Sequence, residues 1–246
     1  MTNQVSIKDA SFLKSKSVQE LLALLNAYGE EARVAGGAVR NVLLGQPVKD
    51  VDIATTALPS EVIRRSEDAG YRTVPTGIDH GTVTVIIGGE PFEVTTLRAD
   101  SDHDGRRANV DFGRDWKVDA ERRDFTINGL YADADGTIVD LVGGLNDIES
   151  RTVRFIGDAE ARIREDYLRI LRFFRFQAWY GRTVPDEAGL AACAKLRAGL
   201  ADISAERIWM ETRKLLAAPQ PLAALDAMES TGVIDQLFID SKGLKL

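Results

Sequence analysis

The sequence predicts an α+β protein in which a mixed sheet flanked by helices is followed by a segment that is entirely helical. β-branched residues dominate Thr82–Ile87 and Phe92–Leu97, whereas apolar residues at helical spacing dominate from about Asp158 onward. The chain has 246 residues, 44% of them apolar and 28% charged, which is typical of a globular protein and excludes a largely disordered one. Since domains average about 150 residues, this length allows one or two of them. We expect two, residues 1–150 and residues 151–246.

The first domain is predicted to alternate short helices with short strands. Ser17-Val18-Gln19-Glu20 has the pattern of a capping box and predicts a helix that begins there and ends at Gly29. Further helices are predicted over 38–44 and 59–70, and strands over 33–35, 50–54, 82–87, 92–97, 125–130 and 137–141. Gly88-Gly89-Glu90-Pro91 indicates a hairpin between two of these strands. The polar stretch 99–115 predicts a long mobile loop.

The second domain is predicted to contain only helices. Apolar residues recur at helical spacing over 159–180, 186–196, 204–215 and 221–228. The predicted boundary with the first domain falls near residues 151–158. Strand-rich and helix-rich segments that follow one another in this way are typical of an α+β architecture.

The composition excludes several classes of site. The net charge is −7, so contact with a nucleic acid requires a local basic patch. Cys193 is the only cysteine, and His80 and His103 are the only histidines, which excludes an internal disulfide and a Cys- or His-rich metal centre. No apolar stretch approaches the length of about 18 residues that a membrane span needs. Residues 1–17 resemble neither a secretory signal nor an import signal, and we expect a cytoplasmic protein without a membrane partner.

A pair of carboxylates is the first candidate site. Asp50 and Asp52 are two residues apart on a predicted strand, so their side chains leave the same face, and Glu93 on another predicted strand could project from that face as well. Adjacent carboxylates repel unless a cation lies between them, and Mg²⁺ prefers such oxygen ligands. Three carboxylates can hold two ions about 4 Å apart, which activate a hydroxyl and stabilise a pyrophosphate leaving group. A solvated strand end is the alternative interpretation.

A glycine pair upstream strengthens the functional interpretation. Gly36-Gly37 lies between a predicted strand and a predicted helix, where backbone N–H groups can approach a phosphate. Arg40 adds a forked donor three residues later. Gly-Gly alone could mark only a tight turn, but its closeness in sequence to Asp50 and Asp52 favours a nucleotide site.

Four motifs stand in order along the chain: Gly36-Gly37-Ala38-Val39-Arg40, Lys49-Asp50-Val51-Asp52-Ile53-Ala54-Thr55, Arg122-Arg123-Asp124-Phe125-Thr126-Ile127-Asn128 and Glu165-Asp166-Tyr167-Leu168-Arg169-Ile170-Leu171-Arg172. With these motifs the chain resembles the class II tRNA nucleotidyltransferase and bacterial poly(A) polymerase family, within the polymerase-β-like nucleotidyltransferases. The resemblance covers about residues 30–216. It implies a polymerase-β-like nucleotidyltransferase head followed by an all-helical neck and the start of a body.

The resemblance also implies roles for residues of the head. Asp50 and Asp52 would be the metal ligands, with Glu93 as the third catalytic carboxylate and Mg²⁺ as the cofactor. Gly37 and Arg40 would contact the triphosphate. Which carboxylate receives the proton of the attacking hydroxyl stays open.

Further roles follow for the later motifs. Arg123, Asp124 and Asn128 would meet the phosphate and ribose of the nucleotide. Asp166 and Arg169 match the base-reading pair of the family, and Arg172 and Arg175 match its triphosphate-binding arginines.

The residue chemistry supports an anion site in this helical stretch independently. Arg169, Arg172 and Arg175 lie within 167–180, which is apolar on nearly every side of the predicted helix, and a guanidinium in such surroundings needs an anionic partner. Eight arginines stand against four acidic residues within 151–182. This local positive excess is the patch that the overall charge lacks.

The predicted pair Asp166 and Arg169 also suits particular bases. Residues three apart are neighbours on a helix surface. A carboxylate acceptor beside a guanidinium donor matches cytosine and adenine, which both present an amino donor next to a ring-nitrogen acceptor, whereas uracil and guanine reverse that order. The alternative is an ion pair within one helix that only stabilises it.

Departures from the family pattern concern Asn41, the loop and the length. Asn41 stands where the family usually has Asp, and residues 101–107 resemble the flexible loop of the family with an unusual start. Relatives usually continue into further helical regions that grip the tRNA elbow, so we expect nucleotide selection to be retained and firm tRNA anchoring to be reduced.

These observations predict an enzyme that adds CMP and AMP to the tRNA 3′ end without a template, using CTP, ATP and Mg²⁺. A poly(A) polymerase, or an enzyme adding only CC or only A, shares most of the motifs, although the loop after Arg98 favours complete CCA addition. A non-catalytic module that binds nucleotides or RNA is a third hypothesis. Three clustered acids argue against it, because a binding module does not need them.

Overall fold

The computed structural model describes residues 5–99, 111–182 and 184–237 and divides the chain into two units. The α/β unit contains the described residues up to 123 together with residues 127–145. The helical unit contains residues 124–126 and the described residues from 146 onward. Most of the predicted loop, including His103, lies outside the described residues. Within the described ranges, no helix is long and apolar enough to cross a membrane.

The predicted mixed sheet is confirmed. The described residues form these strands: β1 (Ala32–Ala35), β2 (Ile53–Thr55), β3 (Arg72–Gly77), β4 (Thr82–Ile87), β5 (Glu90–Thr96), β6 (Arg98–Ala99), β7 (Asp111–Phe112), β8 (Leu130–Ala132) and β9 (Ile138–Asp140). Seven of them form one sheet in the order β3-β4-β5-β2-β1-β8-β9, and β6 pairs with β7. The neighbours β2 and β5 are parallel, whereas the other neighbours are antiparallel. The predicted hairpin is the turn at Gly88 and Gly89, both with positive φ.

Helices of the α/β unit lie before and between its strands in the sequence. They are α1 (Lys16–Leu25), α2 (Gly37–Leu43), α3 (Pro59–Asp68) and α4 (Trp116–Glu121), and α5 (Gly144–Ser150) begins at the end of this unit. The capping-box prediction at Ser17 was wrong, because the Ser15 hydroxyl accepts from the Val18 N–H and caps α1 two residues earlier. Val34, Val83 and Val94 are fully buried in the core of the sheet.

The helical unit contains α6 (Ala159–Glu165), α7 (Leu168–Tyr180), α8 (Glu187–Leu196), α9 (Ala205–Leu216), α10 (Pro221–Ser230) and α11 (Val233–Leu237). Helix α7 packs against α9 and α10. Its Phe173 and Phe176 rings lie 6.3 and 5.0 Å from the ring of Phe125, and Phe155 stacks on Phe173 at 5.5 Å. These aromatic side chains form the core of the unit.

Several predicted boundaries were wrong. The strand predicted over 125–130 is a 3₁₀ turn, Thr126–Asn128, followed by β8, because residues 124–126 instead bond to the segment around Phe155 in the helical unit. The helix predicted over 159–180 is broken into α6 and α7. The strand β3 was missed, since it is a mostly exposed edge strand with Pro75 and an irregular register.

Candidate active site

The three predicted carboxylates lie at one region of the sheet. Asp50 and Asp52 precede β2 rather than lying on it as predicted, and the Asp52 backbone oxygen accepts from the Ala35 N–H at 2.9 Å. Glu93 lies on β5, and the parallel register pairs Ile53 with Val94, which puts Asp52 beside Glu93. Because Ile53 and Val94 are buried, the side chains just before them point to the opposite, exposed face.

Electrostatic repulsion is concentrated at Asp52. Partial burial raises the pKa of Asp52, and the negative charges of Glu93 and Asp50 raise it further, against an opposing effect of Arg123. Its carboxylate remains accessible to solvent. Glu93 and Asp50 are therefore close enough to disfavour the charge of Asp52.

The donor set suits a hard cation, although it is not preassembled. The described residues contain no group of three or more His, Cys, Asp or Glu side chains gathered so as to hold a metal ion. The donors here are all carboxylate oxygens, and a divalent cation would relieve the repulsion that Asp52 experiences. Asp50, Asp52 and Glu93 thus fit such an ion in residue type and charge. To bind it together, their carboxylates would have to come closer to one another than they are in this structure.

The turn between β1 and α2 requires glycine at its first position. Gly36 has φ +59°, a conformation that favours glycine, and its N–H donates to the Leu130 oxygen at 2.9 Å. A Cβ at Gly36 would lie 3.0 Å from Nη1 of Arg123 and 3.4 Å from the Asn128 backbone oxygen. The turn can therefore approach the Arg123 guanidinium only because the side chain is absent.

Arg40 is buried and held in place by two asparagines. Its Nη1 donates to Oδ1 of Asn128, and its Nε and Nη2 donate to Oδ1 of Asn41 at 3.1 and 2.8 Å. The Asn41 amide in turn donates to the Pro47 oxygen at 2.9 Å. Asn41, noted in the sequence as a departure from the family pattern, therefore still supports Arg40.

Arg123 joins the glycine turn to a second buried network. Its Nη2 donates to Oδ2 of Asp119 at 3.1 Å, and its Nη1 donates to the Asn128 backbone oxygen at 3.3 Å. The guanidinium lies 5.0 Å from the ring of Tyr131, whose hydroxyl donates to Asp119 at 2.7 Å. The structure thus brings together Gly36, Arg123 and Asn128.

Asp124 has a different environment from its sequence neighbour Arg123, because it belongs to the helical unit. Its Oδ2 accepts from Arg172 Nε at 2.8 Å, with a second bond from Nη2, and its Oδ1 accepts from the Phe125 N–H at 2.9 Å. Asp124 and Arg172 were each predicted to meet the nucleotide. In this structure they pair with each other.

The expected helical spacing of Asp166 and Arg169 was wrong. Helix α6 ends at Glu165, Asp166 is extended with φ −156°, and α7 begins at Leu168. Oδ2 of Asp166 accepts from Arg207 Nη2 at 2.8 Å. Arg169 donates to the Arg162 backbone oxygen at 2.8 Å and pairs with Glu165. Both side chains lie at the start of α7, each held by other residues.

Arg175 faces an acid on a neighbouring helix. Its Nε lies 2.6 Å from Oε2 of Glu211, which is only 6% exposed, and its guanidinium lies 4.5 Å from the ring of Phe176. Burial lowers the pKa of Arg175, and the charge of Glu211 partly offsets this effect. The need of this arginine for an anion is thus met within the protein.

Sequence reasoning missed three residues that hold predicted ones: Asp119, Arg207 and Glu211. Asp119 stands three and four residues before Arg122 and Arg123, a spacing that predicts contact on a helix. Glu211 is an acid within an amphipathic stretch, which gave no such signal. Arg207 meets Asp166 from 41 residues away, and no local spacing could predict that contact.

Comparison with known families gives two consecutive matches. Residues 32–154 match the model of the poly(A) polymerase head domain. Residues 185–243 match a second model, described as the probable RNA and SrmB-binding site of polymerase A.

Individual relatives are CCA-adding enzymes. The mitochondrial CCA tRNA nucleotidyltransferase 1 of Mus musculus is 49% identical over 82% of this chain and 46% of its own length. The CCA-adding enzyme of Geobacillus thermodenitrificans is 44% identical over 87% of this chain and 52% of its own length. The crystal structure of the Bacillus stearothermophilus CCA-adding enzyme in complex with CTP superposes with a TM-score of 0.80 at 38% identity, covering 89% of this chain and 53% of that one. The chain spans about half the length of these relatives.

Proposed function

The chain belongs to the poly(A) polymerase head-domain family, and from this premise we propose that it transfers CMP and AMP from CTP and ATP to the 3′ end of tRNA without a template. The relatives named as CCA-adding enzymes support this reaction over others of the family. The observation that carries the proposal is the parallel register of β2 and β5, which sets Asp52 beside Glu93. A head of this family needs such acids for phosphoryl transfer.

Asp50, Asp52 and Glu93 are proposed to hold Mg²⁺, which fits their oxygen donors and their mutual repulsion. When bound, magnesium would lower the pKa of the attacking hydroxyl and neutralise charge on the phosphates. The carboxylates themselves would orient the tRNA 3′ hydroxyl and accept its proton.

The triphosphate would bind beside the glycine turn. Gly37 would offer its backbone N–H, and Arg40 a guanidinium whose orientation Asn128 and Asn41 fix in advance. Such preorganisation lowers the entropic cost of ligand binding. Arg123 would contact the phosphate and ribose. Pyrophosphate would then leave with its charge balanced by these arginines.

The helical unit would provide base selection through Asp166 and Arg169. Asp166 pairs with Arg207 and Arg169 pairs with Glu165, so each side chain is held by a residue outside the base-reading pair. A carboxylate acceptor and a guanidinium donor then suit cytosine and adenine. Asp124, Arg172 and Arg175 would reach a triphosphate only by exchanging their present partners for phosphate oxygens.

The second candidate is poly(A) synthesis, which the description of the matched head-domain family favours. A tRNA that lacks its 3′ CCA separates the candidates when it is incubated with Mg²⁺ and each nucleotide singly or in pairs. We expect two additions with CTP alone, three with CTP and ATP, and none with UTP or GTP. Continued AMP addition would identify a poly(A) polymerase. A folded protein that releases no pyrophosphate under any of these conditions would contradict both.

A further inference from the structure

Asp119 is a buried acid that none of the proposed steps uses. It lies on α4, is 1% exposed, and accepts hydrogen bonds from three different side chains. Arg122 Nε donates to its Oδ1 at 2.8 Å, Arg123 Nη2 to its Oδ2 at 3.1 Å and the Tyr131 hydroxyl to its Oδ2 at 2.7 Å. Asp119 therefore connects α4 to the arginine next to the glycine turn.

The carboxylate is kept in its charged form. Burial alone would raise the pKa of Asp119, but the charges of Arg123 and Arg122, with the hydrogen bond from Tyr131, outweigh burial and hold the pKa below its ordinary value. A charged acceptor makes stronger hydrogen bonds to a guanidinium than a neutral one does. The Tyr131 hydroxyl and Arg123 Nη2 both donate to Oδ2 of Asp119. The tyrosine thus fixes the position of the oxygen toward which the guanidinium points.

Arg123 has competing partners nearby. Asp52 is one of them, because its backbone oxygen accepts from the N–H of Ala35, the residue that precedes Gly36. Nη1 of Arg123 is 3.0 Å from where a Cβ at Gly36 would be. An unrestrained guanidinium would turn toward the nearest carboxylates. Something must therefore hold it at the glycine turn.

We propose that Asp119 is a positioning residue: its buried carboxylate, fixed by the Tyr131 hydroxyl, holds the Arg123 guanidinium beside Gly36, where Arg123 can contact an incoming nucleoside triphosphate. This inference rests on the proposed function, since it gives Arg123 a ligand. Asp119 touches no substrate and acts through Arg123 alone.

The test is a double-mutant cycle read by CTP binding in the absence of tRNA. Asp119→Asn keeps the size of the side chain but turns a donor toward the guanidinium, and we expect the Kd for CTP to rise about tenfold. In an Arg123→Ala background, we expect Asp119→Asn to change the Kd less than about twofold, because the residue it acts through is gone. Equal effects in the two backgrounds would overturn the proposal.

A matched control separates positioning from loss of the helix. Asp115→Ala removes the N-cap of α4, where the Asp115 side chain accepts from the Lys117 and Val118 N–H groups, and does not touch Arg123. We expect Asp115→Ala to lower the melting temperature while leaving the Kd for CTP within about twofold. A Kd raised as much as in Asp119→Asn would overturn the proposal. Should Asp119→Asn fail to fold, Tyr131→Phe removes only the hydroxyl, and an unchanged Kd in that variant would overturn it as well.

Binding and transfer distinguish this inference from the proposed function. If the wild-type protein binds CTP but transfers nothing to tRNA, the proposed function is contradicted, while the role of Asp119 can still be tested by the Kd values of the double-mutant cycle. Transfer by the wild type together with an additive cycle contradicts only the role of Asp119. A wild-type protein that binds no CTP overturns both.

Discussion

Glu93 stands beside Asp52 because β2 and β5 are parallel neighbours with Ile53 opposite Val94. If these acids hold the metal, Asp52→Ala removes several kcal/mol of transition-state stabilisation. We expect kcat for CMP transfer to fall at least about a thousandfold, without a decrease in the melting temperature. The control is Glu90→Gln, which changes an exposed acid on β5, the strand of Glu93, and should retain activity. Normal turnover by folded Asp52→Ala protein would refute the metal role.

Repulsion at Asp52 predicts a pH-dependent effect on stability. Its folded-state pKa lies above the ordinary value of 3.8, so the folded form binds the proton more tightly and stability falls as the pH rises from that value through the folded pKa. Asp52→Asn removes the charge and should raise the free energy of unfolding by about 0.5 kcal/mol, a small gain because solvent screens the repulsion. We expect this variant to melt about 1–2 °C above the wild type at about pH 7. Below about pH 3.5, where Asp52 is already protonated, we expect the two melting temperatures to be equal. A decrease at neutral pH, measured by calorimetry, would contradict this explanation.

Gly36 and Gly45 offer a comparison between backbone strain and a steric clash. Both have positive φ, +59° and +67°, so alanine strains each by about 1 kcal/mol. Only at Gly36 does the new Cβ meet another group, Nη1 of Arg123 at 3.0 Å. We expect Gly36→Ala to raise the KM for CTP about tenfold and Gly45→Ala to leave it unchanged, in steady-state assays. Equal KM values in the two variants would mean that Arg123 does not bind at this turn.

Arg175 and Glu211 form a buried pair, so removing one partner leaves an uncompensated charge. We expect Glu211→Gln to cost about 3 kcal/mol in the free energy of unfolding, measured by urea denaturation. Asp68→Asn, in an exposed pair with Arg64, should cost under about 0.5 kcal/mol. Combining Arg175→Met with Glu211→Leu should recover most of the stability. If Arg175 also binds the triphosphate, the double variant will not recover CTP affinity, and full recovery would exclude that role.

Local patterns in the sequence were sufficient for β4 and β5, the hairpin that carries Glu93. In Thr82–Ile87 buried residues alternate with half-buried ones, and in β5 Glu93 is an exposed residue between buried Phe92 and Val94, so Glu93 could be assigned to the face opposite the core. The positive φ of Gly36 agrees with the turn predicted from the glycine pair. Each of these features depends on neighbours within a few residues.

Features set by distant contacts could not be predicted. The Phe125 segment reads as a strand by its apolar spacing, yet it leaves the sheet to pair with Phe155. The break at Asp166 has no proline or glycine to announce it, and Arg207, which bonds to Asp166, comes much later in the chain. The prediction that Asp166 and Arg169 are neighbours on one helix was therefore wrong, because Asp166 lies in the break before α7 and only Arg169 is on that helix.

Asp166 provides the most specific test of base selection. A carboxylate accepts from the amino group of cytosine or adenine, whereas an asparagine at the same place presents both a donor and an acceptor. We expect Asp166→Asn to lower the ratio of kcat/KM for CTP over UTP by about 10- to 100-fold, the value of one good base contact. The measurement is single-nucleotide addition to shortened tRNA with each triphosphate separately.

The control is Glu206→Gln, which changes an exposed acid next to Arg207 and should preserve the ratio. If Asp166→Asn lowers kcat/KM for CTP and UTP equally, Asp166 supports the start of α7 through its bond to the Leu168 N–H and does not read the base.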